Sequence, residues 1–269
     1  MKRPRWWLVS FLFLGNMPAA FADVTLEAPV GDLMITNAIL DPGNVTLRAT
    51  NGNIYIQASV SAGTQMTAQA SGFVNQSTGL ISAVAAQAGA GGSITLTHTE
   101  LTTLTATNGT GDILINETNG LTLTSLRAGN GSISVNAGGL ITATDVRSLT
   151  DTSSNGIHLA GSGIVAGSIV AGTAGDIFLQ AGSGSLTDAS GKIVADHLTV
   201  GANGSLLLDT SATSLTGTNA SGGITVSESD AIILTSLRAG NGSISVMAGG
   251  QITATEVRSL TDNNSNDIN

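Results

Sequence analysis

The chain has 269 residues, of which only 10% are charged and 3% aromatic, with 35 glycines, no cysteine and a formal net charge of −9. The acidic balance excludes nucleic acid and anionic lipid surfaces as partners, because both call for clustered positive charge. The missing cysteines exclude a disulfide scaffold, and the scarcity of aromatics excludes a membrane barrel with interfacial girdles.

In chain order, residues 1–22 read as a secretory signal peptide. Lys2, Arg3 and Arg5 form the positive region, Trp6 to Gly15 is mostly apolar, and Ala20-Phe21-Ala22 supplies a small-x-small cleavage site. The apolar run is too short to span a bilayer. Removal of this segment would leave six basic residues against 18 acidic ones, a net charge of −12. Residues 23–44, with Pro29 and Pro42, are expected to form an N-terminal cap or irregular entry. From Val45 a repetitive β pattern begins, and 45–269 is expected to be one β-helix repeat domain. Its register is weakest over 57–92, where Phe73, Val74, Leu80 and Ile81 are the bulky core candidates.

Twenty-eight residues then occur twice, 111 positions apart, with 25 identities. The run from Thr124 to Asp151 returns from Thr235 to Asp262, differing only at Asn136/Met247, Leu140/Gln251 and Asp145/Glu256. Residues 90–158 and 201–269 thus read as copies of one longer repeat. Fixed-period repeats mark solenoids, whose units bury their apolar faces only against their neighbours.

A smaller period runs inside the large one. Gly-x-Ile-x-apolar modules recur, as in Gly111-Asp-Ile113-Leu-Ile115 and Gly131-Ser-Ile133-Ser-Val135. The first apolar residues fall at 94, 113, 133, 157, 177, 206, 224 and 244, mostly 18 to 20 apart, with longer steps to 157 and 206. Period-two alternation sends Ile133 and Val135 to one strand face and the serines to the other. Ile113 should therefore stack on Ile133, and Ile224 on Ile244, in parallel strands with inward side chains. Asn-Gly and Gly-Gly pairs supply the corners. The spacing predicts an all-β fold, a parallel β-helix with coils of about 20 residues. Asp151 to Asn155 reads as a corner insertion. At the C-terminus Asp267-Ile268-Asn269 matches Gly156-Ile157-His158, so a new coil begins there. A terminal repeat without a cap suggests a fragment of a longer protein, with an open edge prone to end-to-end association.

The alternation in ATNGTGDILINETNGLTLTSLRAGNGSISVNAGGLITATDV resembles the repeat regions of filamentous-haemagglutinin-like exoproteins, over roughly Val45 to the C-terminus. The resemblance implies a right-handed winding and two-partner secretion through an outer-membrane transporter. It also implies an adhesive or contact-dependent role at the cell surface, toward a receptor or glycan on a host or neighbouring cell. The Asn-Pro-Asn motifs of the usual secretion domain are missing; Asp41-Pro-Gly-Asn44 is a weak echo.

A search for chemistry yields little, and no catalytic, cofactor-binding or metal-binding residue is expected. Carbohydrate hydrolysis needs two carboxylates across one bond, and Asp176 and Asp196, with His197 adjacent, are the best candidates. Asp176 nonetheless shares the Gly-Asp-Ile corner pattern of Asp112, which points to a turn. His98, His158 and His197 lack metal-ligand spacing among themselves. Gly109-Thr-Gly-Asp112 lacks the tandem nine-residue period of a calcium roll, and no Gly-x-Ser-x-Gly elbow or phosphate-loop lysine is present. Thr-x-Thr pairs, including Thr122/Thr124 and Thr142/Thr144, are ordinary strand residues or else a flat array for ice or crystalline polysaccharide. The reading overall is an exported, non-enzymatic stalk or adhesin segment. The alternatives are a polysaccharide-acting enzyme and a Thr-array binder.

Overall fold

A computed structural model describes residues 7–8, 23–261 and 266–269. The expected signal peptide and its cleavage site lie outside the described residues, apart from the backbone of Trp7–Leu8, which pairs with Leu33 and Met34. From Val24 onward the described chain is a stack of parallel β coils with no helix.

One ladder shows the construction. Leu33, Ile54, Val74, Ile94, Ile113 and Ile133 pair in succession, followed by Ile157, Ile177, Leu198, Leu215, Leu234 and Ala254. Each step is one coil, so about twelve coils are stacked. Strands with inward Ile, Leu and Val fill a single core along the axis, where Ile113, Ile133 and Ile244 are all 0% exposed. The expected pairs Ile113/Ile133 and Ile224/Ile244 are in register, as are Leu121/Ile141 and Leu126/Val146.

Residues 23–44 depart from the irregular entry expected of them. Val24–Ala28, Leu33–Ile35 and Ile39–Asp41 pair with Asn44–Ala49, Ile54–Ile56 and Val60–Ala62, forming a regular first coil. Pro29 and Pro42 fall at its bends, where a missing N–H costs no ladder bond. Over 57–92, Val74 and Ile81 are buried as expected, whereas Phe73 and Leu80 are only partly so. Phe73 packs instead edge-on against Tyr55, with ring centroids 5.1 Å apart. The core there is completed by Met66, Ala68, Ala83, Ala86 and Ala88.

The two long copies do not occupy equivalent places round the coil. Ile133 belongs to the ladder just described. Its counterpart Ile244 belongs to another, running Leu121, Ile141, Ile164, Leu186, Leu206, Ile224, Ile244. Five coils separate Ile133 from Leu234, and Ile244 lies on the next side of the coil. The 111-residue repeat therefore spans a non-integral number of coils. The long step from Ile177 to Leu206 has the same origin, because the true partner of Ile177 is Leu198.

Corners are built from glycine and short polar side chains. Gly111 has φ +78°, a conformation glycine adopts without steric cost. The next corner glycine, Gly131, leaves no room for a Cβ against the carbonyl of Gly111. Asp32 and Asp112 each accept the backbone N–H of the following coil, from Asn53 and Ser132, at 2.8 Å. The expected insertion at Asp151 to Asn155 is pinned at both ends. Asp151 accepts from Ala174 N–H at 2.7 Å, and Asn155 Nδ2 donates to Asn130 Oδ1 at 3.0 Å and Thr150 O at 3.1 Å.

Candidate functional site

Outward-facing side chains in a parallel ladder line up along the axis, so two rows flanking a ladder enclose a groove. Such a groove lies over Ile133, Ile157 and Ile177, with a volume of about 320 Å³. One wall carries Ser132, Asp176 and His197, and the other Ser134, His158, Phe178 and Thr199. In the second row Ser134, His158, Phe178 and Thr199 pair in consecutive coils. The rings of His158 and Phe178 stack at 4.8 Å with 27° between planes. Burial in this stack holds the His158 imidazole below its ordinary pKa, favouring the neutral ring.

At the groove's far end Asp176, Asp196 and His197 converge. One potential ligand atom from each lies within 4.8 Å of the others. Asp176 comes from a corner, whereas Asp196 and His197 come from the strand Ile193–Ala202 of the following coil. Asp176 keeps the corner role expected of it, since its Oδ1 accepts His197 N–H at 3.3 Å. The His197 ring makes two further approaches. Its Nδ1 lies 2.7 Å from Ser214 Oγ, and its Nε2 lies 3.6 Å from Asp196 Oδ2.

A serine, a histidine and an aspartate thus meet, but 3.6 Å is too long for the hydrogen bond by which an aspartate orients a catalytic imidazole. Two carboxylates from successive coils meet here, Asp176 at the groove and Asp196 beside it, but with ligand atoms within 4.8 Å they stand closer than the roughly 5–9.5 Å of a glycosidase pair. Ser214 and the aromatic pair were not anticipated from sequence. The signal for the pair was present in the 20-residue step that places His158 and Phe178 in register.

Among the described residues the threonine pairs form no extended array. Thr103, Thr122 and Thr142 stack in successive coils, but Val165 follows in that ladder, and Thr253 stacks on Ile233.

No protein-family model, curated protein or solved structure matches the chain. The class defined by the structure is that of β-helical repeat proteins.

Proposed function

We propose that this chain is an exported, non-enzymatic β-helical stalk or adhesin segment, part of a larger surface or secreted exoprotein of the filamentous-haemagglutinin type. The observation that carries the reading is the uninterrupted stacking of similar coils from Val24 to Ser259, which makes a rod with a periodic surface. The charged leader and small-x-small site at Ala20 to Ala22 support export, and the resemblance of the repeats supports passage through an outer-membrane transporter. Right-handed winding accords with the hand of parallel crossover connections between twisted strands. A surface receptor or glycan on a host or neighbouring cell is the partner of this reading.

The test is to express the chain with its own leader in a Gram-negative host. N-terminal sequencing of the exported product should begin at Asp23, and beads coated with it should adhere to cells. Retention of an intact leader, or beads no stickier than those coated with an unrelated acidic protein, would remove the proposal. The second reading, a polysaccharide-acting enzyme, draws on the approach of Asp196 to Asp176 at the edge of the groove. Reducing-sugar release that disappears in Asp176→Asn would favour it.

A further inference from the structure

We propose that Asp176, Asp196 and His197 form a binding site for a divalent transition-metal ion of the zinc class, open to the groove. The inference is independent of the adhesin reading. Its first support is geometric: three potential ligand atoms from two adjacent coils already lie within 4.8 Å of one another. Zinc–oxygen and zinc–nitrogen bonds are about 2.0–2.2 Å, so small side-chain rotations would bring all three onto one ion.

The second support is the state of the imidazole. Ser214 Oγ holds Nδ1 at 2.7 Å, and the ring turns Nε2 toward Asp196 Oδ2. An outer partner on the other ring nitrogen is the usual companion of a metal-ligating histidine, because it fixes ring orientation and tautomer. Ser214 lies one coil beyond His197, in register with it, and offers no carboxylate of its own.

A third observation concerns charge. Some acidic side chains elsewhere have arginine neighbours: Glu27 has Arg48, Asp145 has Arg127 and Arg147, and Glu256 has Arg238 and Arg258. Asp176 and Asp196 converge with only His197 beside them, and no lysine or arginine lines the groove among the described residues. Like charges in one site are mutually destabilising, and a bound dication would relieve that repulsion. The imidazole in the set selects zinc-class ions over calcium and magnesium, which prefer all-oxygen ligands. With three protein ligands, at least one coordination position would face the groove, beside the His158–Phe178 platform.

Calorimetric titration of the untagged, chelator-treated full chain with zinc chloride tests the proposal. One equivalent should bind. Asp196→Asn, Asp176→Asn and His197→Gln should each weaken binding at least tenfold with an unchanged circular dichroism spectrum. Asp112→Asn, a corner aspartate outside the site, should bind as the parent does. Cobalt(II) should give visible ligand-field bands that are lost in His197→Gln. Absence of stoichiometric zinc binding would overturn the proposal. So would binding indifferent to all three substitutions, or calcium binding of equal strength that survives His197→Gln.

Discussion

Glu117 is 5% exposed and Glu228 4%, yet both carboxylates are fully engaged. Glu117 Oε2 accepts from Thr99 Oγ1 at 2.7 Å and from Leu101 N–H at 3.0 Å, while Oε1 accepts from Asn119 N–H at 3.1 Å. Glu228 reproduces this set with Thr210 at 2.9 Å, Ala212 N–H at 3.0 Å and Asp230 N–H at 3.1 Å. Burial pushes the Glu117 carboxyl above its ordinary value of 4.5, and the hydrogen bonds only partly offset it. A raised folded-state pKa means that protonation favours the fold. The resulting stability is fully present below about 4.5 and is lost as the pH rises through the folded value. Glu117→Gln, a neutral stand-in for the protonated acid, should therefore gain stability relative to the parent between pH 4 and 7. Denaturant unfolding of both proteins across that range is the measurement. A constant difference, or the opposite trend, would refute the account.

At the scale of a strand, Ile133 is enclosed by its own ladder neighbours Ile113 and Ile157. Ile133→Ala should cost about 2–5 kcal/mol, the range for truncating a buried aliphatic side chain. The damage should stay near its coil, since solenoid stability is largely a nearest-neighbour sum. Hydrogen exchange should lose protection in the coils containing Ile113, Ile133 and Ile157 while those around Ile54 stay protected; uniform loss along the rod would contradict this. Polar links between strands obey a different rule. Partial burial pushes the Asp145 carboxyl up, but hydrogen bonds and charge attraction from Arg147 (2.5 Å) and Arg127 (2.8 Å) outweigh it and hold the pKa below 3.8. A lowered pKa stabilises the fold above 3.8, and the gain vanishes as the pH falls through the folded value. Asp145→Asn should cost about 1 kcal/mol or less at neutral pH, and nothing once the parent's acid is protonated. Thermal melts of both proteins in a series from pH 7 downward compare the two; a loss that stays equal throughout would point to a packing defect instead.

Across the whole molecule, large apolar side chains stand exposed at several points along the rod, among them Leu40, Val84 and Met247, and again at its last described coil. There Ile252, Leu260 and Ile268 are exposed, and among the described residues Ile252–Ala254 pairs on one side only, with Ile232–Ala239. An open strand edge with apolar neighbours templates pairing with another chain. The purified chain should associate increasingly with concentration, and an appended polar coil should suppress this while substitution of Thr122 and Thr142 should not. Sedimentation velocity over a concentration series measures it. A monomer at all concentrations would show that this edge is protected.

Much of the architecture was determined by the sequence alone, because it depends on local alternation and on a coil length close to 20 residues. Ile113 over Ile133 and Ile224 over Ile244 follow from the fact that stacked coils of one length must superpose like residues. The corner role of Asp112 and Asp176 was legible for the same reason, in the Gly-Asp-Ile triplet. Other features were decided only by the tertiary structure. Coil lengths vary: Ile133 to Ile157 is a 24-residue step, whereas Leu198 to Leu215 is 17. These differences accumulate and carry the second copy to another side of the coil, so that identical segments occupy different ladders. Thr210 and Glu228 still form the same hydrogen bonds as Thr99 and Glu117, because each set needs only the adjacent coil. Asp176, Asp196 and His197 were legible together as candidates in the sequence, whereas the approach of Ser214 to His197 depends on the register of the next, 17-residue coil. No regular 20-residue step encodes that last contact, since the coil from Leu198 to Leu215 is shortened and stacking alone brings Ser214 onto His197.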